Sequence, residues 1–124
     1  MNQRQSIGKL GEDLAVAYVE SLGWQVIARN WRYSHLGEID IVAVEPSSGK
    51  GILVFLEVKA KTGTGYGEPL EAITYEKLKR LHRLAHAWIA THEMGYDRVR
   101  IDAIGIVARQ GEDPALTHAR AVRL

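Results

Sequence analysis

The sequence predicts a three-layer α/β domain, with helices on both faces of one mixed sheet. Three observations carry that expectation. Apolar residues recur at helical spacing over about residues 5–22, and three strand-like runs follow without a helix between them (24–33, 37–45 and 51–60). A helical stretch from about Pro69 to Thr91 then separates these runs from a fourth strand at 98–108. Hairpin-linked strands joined by a helical crossover to a later strand give a sheet of mixed direction, not a run of βαβ units.

The first helix is expected to bury Ile7, Leu10, Leu14, Ala17, Tyr18 and Leu22, and Gly23 stands where a C-terminal cap glycine belongs. Beside that face, Gly8, Gly11 and Ala15 form a strip of small residues suited to close approach by a neighbouring element. Glu12 shares the side of this strip. WQVIARNWRY (24–33) is rich in aromatic and β-branched residues. In GEIDIVAVE (37–45), alternation puts Ile39, Ile41 and Ala43 on one face and Glu38, Asp40 and Val42 on the other. GILVFLEVKA (51–60) is nearly all apolar, as in a strand covered on both faces. PSSGKG (46–51) reads as a turn, which makes the last two runs an antiparallel hairpin. In the second helix Leu70, Ile73, Leu78, Leu81, Leu84, Ala85, Trp88 and Ile89 form the apolar face. ALTHARAVRL (115–124) reads as a weak fifth strand or an ordered tail.

The 124 residues suit a single domain, with its core at about 5–108 and residues 109–124 as the strand or tail. Hydrophobic residues are 46% and charged residues 25%, the mix of an ordinary folded protein. With no cysteine, disulfides and thiolate metal sites are excluded. The polar N-terminus and the lack of any apolar stretch of membrane-spanning length fit a cytoplasmic protein with no membrane partner. Sixteen Lys and Arg against fifteen Asp and Glu give a net charge of +1. That balance is not the basic excess of a nucleic-acid coat protein. It is compatible with an acidic metal cluster inside a basic rim.

Charges inside apolar strands carry the functional signal. Asp40 interrupts one strand, and Glu57 and Lys59 interrupt the next on a common face. A hairpin folded at 46–51 brings Asp40 and Glu57 side by side. Two half-buried carboxylates repel, so one protonates or a cation joins them. Hard divalent cations such as magnesium take carboxylate and water oxygens, and retain positions for a substrate phosphate. A neighbouring ammonium, here Lys59, steadies developing charge or orients the attacking water. Glu12 can add a carboxylate through water. Without these neighbours, a Glu-x-Lys triplet is equally a solvated strand face with a weak ion pair.

At these residues the chain resembles the PD-(D/E)xK nuclease superfamily, and within it most closely the YraN-type family, which is similar to Holliday junction resolvases. The resemblance rests on GKLGEDLA (8–15), RNWR (29–32), GEIDIVA (37–43), VFLEVK (54–59), Lys77 and RIDAI (100–104), in the family's order. It implies a restriction-endonuclease-like fold with a helix-strand-strand-strand-helix-strand core. It further implies a magnesium- or manganese-dependent endonuclease acting on DNA, branched DNA included. Catalytic roles fall on Glu12, Asp40, Glu57 and Lys59, with Asp40, Glu57 and Glu12 around the metal. Lys61, Lys77, Arg32 and Arg80 become candidate nucleic-acid contacts, and a second copy a candidate partner, since a junction presents two symmetric strands. The chain departs from the pattern at Ile39, where the superfamily proline would stand, and at Ala60-Lys61, where an aromatic and an arginine are usual. Lysine keeps the charge there but loses the bidentate grip of arginine. The alternatives are a non-catalytic nucleic-acid-binding module on the same fold and a protein-binding adaptor.

Remaining features are weaker. Gly63, Gly65 and Gly67 do not match a nucleotide-binding spacing and read as a flexible connection or a phosphate-approaching loop. Lys77, Lys79, Arg80 and Arg83 read as a solvated helix face or, with a metal site, a phosphate track that Arg29, Arg32 and Lys61 extend. His82 and His86 lack a third zinc ligand at suitable spacing. Trp24, Trp31 and Trp88 are expected as core anchors, and Arg100 and Asp102 as a structural ion pair.

Overall fold

The computed structural model describes residues 3–63 and 69–123, with side chains from residue 7 onward. Its elements are α1 (Gln3–Ser21), β1 (Gln25–Tyr33), β2 (Gly37–Glu45), β3 (Ile52–Thr62), a 3-10 turn (Pro69–Ala72), α2 (Tyr75–Thr91), β4 (Arg98–Ala108) and β5 (Ala115–Ala119). The five strands form one sheet in the order β1-β2-β3-β4-β5. Only β3 and β4 run parallel; the other neighbours are antiparallel. The sheet is therefore mixed, with α2 as the crossover between its two parallel strands, and its architecture is consistent with a restriction-endonuclease-like fold. Among the described residues no helix is long and apolar enough to cross a membrane.

Two apolar layers flank the sheet. One joins α1, through Ala15 and Val19, to Ile41, Ala43, Val54, Leu56, Ile104 and Ile106. The other joins α2, through Leu78, Leu81, Leu84, Ala85 and Trp88, to Ile39, Val42, Leu53, Phe55 and Ile101. β3 feeds both layers, which explains its continuous apolar run. Trp24 and Trp88 are buried, and Trp31 packs edge-on against Trp88, so all three serve as anchors.

Three expectations need correction. First, α1 buries only part of its expected face: Leu14 and Tyr18 are half-buried against the core, but Leu22 is exposed. Leu10 is 45% exposed and Ala17 is exposed, while Gly11, Ala15 and Val19 face the sheet. The small strip is the packing face because α1 lies directly on β3: a Cβ on Gly11 would stand 2.6 Å from Ala60 Cβ. Gly8, at the far end of the strip, has nothing near it.

Second, Ile39 and Ile41 face opposite layers. The ladder pairs Arg29 with Ile41 and Trp31 with Ile39, so Asn30 and Asp40 lie opposite between them. Asn30 has φ +52°, a left-handed residue on the neighbouring strand at the point where the facing of β2 changes. Third, the second helix does not run unbroken from Pro69. The 3-10 turn ends at Ala72, and Thr74 begins α2 afresh, its side-chain oxygen accepting from the Lys77 N–H at 3.1 Å. Gly23, by contrast, closes α1 as expected, with φ +88°. Gly65 and Gly67 lie outside the described residues.

Candidate active site

The hairpin of β2 and β3 creates the site at the point where it opens. The last ladder pair is Ile41 with Leu56. One step further, Asp40 and Glu57 meet at the splayed end. There a side chain replaces the missing ladder bond: Asp40 Oδ2 accepts from the Val58 N–H at 2.7 Å. Glu57 is 4% exposed, and both carboxylates line a cavity of about 200 Å3 together with Gly37, Glu38, Lys77 and Arg80.

Burial, reinforced by the charge of Glu57, pushes the Asp40 carboxyl up to about 7. The Val58 N–H opposes that rise, and Glu12 adds to it. Lys77 Nζ lies 2.7 Å from Glu57 Oε1, and Lys59 Nζ lies 3.6 Å from the same oxygen. The two ammonium groups diverge in proton affinity. Burial lowers Lys59 below its ordinary value, and its hydrogen bond with Lys77 lowers it further. Burial would lower Lys77 as well, but its hydrogen bonds to Glu57 and Lys59 outweigh that and hold it above the ordinary value. The site therefore holds one firmly charged lysine and one that gives up its proton more readily.

Glu12 reaches this region from α1. Its Oε1 accepts from Asn30 Nδ2 at 2.8 Å and from Arg29 Nε at 3.0 Å, and Arg29 Nη2 also lies 2.6 Å from Asp13. Arg29 thus holds Glu12 and Asp13 together. The left-handed turn at Asn30 brings its amide to the same carboxylate. No local pattern in the sequence announces this clamp.

The basic candidates divide. Arg80 lines the cavity, and Lys61 is half-buried two residues beyond Lys59. Arg32 is exposed, with Glu38 at 3.8 Å as a screened neighbour. Lys79 sits over the Tyr75 ring at 5.4 Å. Among the described residues no three His, Asp or Glu side chains cluster closely enough to hold a metal by themselves.

A second polar cluster lies on the other side of β3. Asp102 is fully buried and accepts from Arg100 Nε at 2.7 Å, His118 Nε2 at 2.8 Å and the Ala121 N–H at 3.0 Å. Arg100 also reaches Glu45 at 2.7 Å, and Tyr18 Oη is 2.9 Å from His118 Nδ1. With Asp102 accepting at Nε2, Nδ1 of a neutral ring accepts from the tyrosine. The expected Arg100–Asp102 pair is present, but its histidine and tyrosine arms come from β5 and α1.

Comparison with known proteins gives a consistent picture. The family model described as "Uncharacterised protein family UPF0102" matches residues 11–106. A "UPF0102 protein" of Mycobacterium ulcerans (strain Agy99) is 41% identical over 119 residues, covering 96% of this chain and 95% of that protein. One from Arthrobacter sp. (strain FB24) is 42% identical over 122 residues, covering 98% and 99%.

Proposed function

The chain belongs to the uncharacterised protein family UPF0102, and from that premise we propose that the Asp40–Glu57 cavity is the active site of a magnesium- or manganese-dependent nuclease. Its substrate would be DNA, branched DNA included. The observation that carries this reading is the pair of carboxylates in one cavity, one of them raised to about 7, with two lysines against the other. The resemblance to the PD-(D/E)xK superfamily supports it, since Glu12, Asp40, Glu57 and Lys59 occupy the matching positions.

The donors fit a hard divalent cation. Asp40 and Glu57 would hold it, and the cavity of about 200 Å3 admits water and a phosphate oxygen for the remaining positions. Bound there, the ion would supply Lewis acidity toward the scissile phosphate and lower the pKa of a bound water. Glu12, fixed by Arg29 and Asn30, reaches the site through water. Lys59, which loses its proton more readily, would orient the attacking water and exchange a proton with it. Lys77 keeps its charge and would turn from Glu57 toward a phosphate oxygen. Arg80, Lys61 and Arg32 would contact neighbouring phosphates, which fixes register without reading sequence.

The test uses labelled single-stranded, duplex and four-way DNA with magnesium or manganese. Wild-type protein should cut at least one of them, Asp40→Ala and Glu57→Ala should abolish cutting, and Lys59→Met should slow it about a hundredfold or more. Cutting that survives Asp40→Ala or Glu57→Ala would remove the site. Salt-sensitive binding with no cutting in either metal would leave the binding-module reading instead.

A further inference from the structure

We propose that the outer edge of β4 at Arg98–Ile101, with the groove beside it, docks an extended acidic segment of a partner protein as an added strand. β3 pairs with β4 along its whole length, but β5 pairs only from Ala103 to Val107. The chain's own tail reaches one step further, where the Val122 N–H donates to the Ile101 carbonyl at 2.8 Å. Ile101 therefore turns its backbone groups outward, and by strand alternation Val99 does the same. The Ile101 carbonyl is taken by the tail, but among the described residues no strand lies beside Val99 to receive its groups. An unpaired edge of this kind is a template for an extended chain.

The adjoining groove states what that chain should carry. It encloses about 540 Å3, with an apolar floor that includes Ile52, Ile89, Ile101 and Val122, and Val99 beside it is 40% exposed. Arg98, Arg123 and His86 line it at exposed positions, and among the described residues no Asp or Glu side chain does. Apolar side chains at alternate positions would fill the groove, and acidic ones would meet the arginines. A second copy is a poorer occupant, because two-fold pairing of identical edges would set Arg98 and Arg123 against their own kind. Ile52 begins β3 whereas Glu57 stands at its middle, and the groove shares no lining residue with the carboxylate cavity, so the two are separate.

The full chain is panned against a phage-displayed library of random ten-residue peptides, and enriched peptides are synthesised for fluorescence anisotropy. Enriched sequences should alternate apolar residues with Asp or Glu. Their binding should weaken roughly tenfold or more in Arg98→Glu/Arg123→Glu, whose exposed sites leave folding intact. Val99→Pro, which removes the outward N–H, should weaken it similarly, and peptide should slow amide exchange at Val99. Enrichment of basic peptides, no enrichment, or equal binding by the Arg98→Glu/Arg123→Glu variant would overturn the proposal. So would concentration-dependent dimerisation of the wild type that this variant abolishes.

Discussion

Asp40 and Lys77 are the residues whose behaviour tests the site without any DNA. Asp40 is raised to about 7 in the folded protein, against an ordinary aspartate near 4 in the unfolded chain. Between those values the unfolded state ionises while the native state holds its proton. Stability should therefore fall as pH rises from about 4 to about 7, and level off above. Asp40→Asn removes that slope, and it should stabilise the metal-free protein at pH 8 by about 2–4 kcal/mol, read as a higher melting temperature. A flat wild-type profile over this range would contradict the assignment. Lys77 is the nearest cation to Glu57, at 2.7 Å. Lys77→Met should cost roughly 1–3 kcal/mol without metal, because a buried carboxylate loses its closest partner. Manganese should then raise the melting temperature more in Lys77→Met than in the wild type, since the ion no longer competes with the ammonium. An equal rise in both proteins would mean that Lys77 and the metal do not share Glu57.

Element packing fixes how closely Glu12 approaches the carboxylate pair. α1 rests on β3 through Gly11 and Ala60, and any added methyl at Gly11 meets Ala60 Cβ at 2.6 Å. Gly11→Ala should therefore destabilise the fold by about 1–3 kcal/mol, even though alanine favours a helix by about 1 kcal/mol. Ala60→Gly in the same chain should recover part of the loss in a denaturant titration. An unchanged midpoint in Gly11→Ala would show that α1 can shift outward at little cost. Element order, the first four strands and the hairpin at 46–51 were legible in the sequence, because each rests on local periodicity and turn composition; 115–124 was left open between a strand and a tail, and forms β5 at Ala115–Ala119. The facing of α1 was legible only in part. The strip of Gly11 and Ala15 invited close approach, but hydrophobicity also put Leu10 and Ala17 inward, and only the neighbouring strand chooses between the two faces. Likewise, alternation assigned Ile39 and Ile41 to one face, and the left-handed backbone at Asn30 on the partner strand marks where that expectation breaks.

Across the whole molecule, the Asp102 cluster joins four elements and the tail: β4 supplies Arg100 and Asp102, β5 His118, α1 Tyr18, β2 Glu45, and the tail the Ala121 N–H. Burial would raise the Asp102 carboxyl, but the hydrogen bonds from His118, Arg100 and Ala121 outweigh it and hold it below the ordinary value. Its contribution is thus present above about pH 4 and lost as pH falls further. Asp102→Ala should cost about 2–4 kcal/mol at neutral pH, since it leaves the half-buried Arg100, His118 and the Ala121 N–H without their shared acceptor, and it should flatten the acid limb of the melting curve. A variant that melts like the wild type would show the cluster to be peripheral. Asp40 and Asp102 thus pull in opposite directions: the contribution of the first falls as pH rises above about 4, and that of the second falls as pH drops below it.

The candidate site follows the same division. Asp40, Glu57 and Lys59 were legible because charge in an apolar strand is locally anomalous and a hairpin brings its two arms together. Glu12 was named from its side of the small-residue strip and Lys77 through resemblance, but the sequence did not say that Arg29 and Asn30 clamp the first, or that the second lies nearer Glu57 than Lys59 does. By itself the sequence determined the elements, their order and the presence of misplaced charge, all of which depend on neighbours within a few residues. Only the tertiary structure decided which side of α1 is buried, which proton affinities rise or fall, and which cations meet which carboxylates. Those depend on desolvation and on distances between residues far apart in the chain.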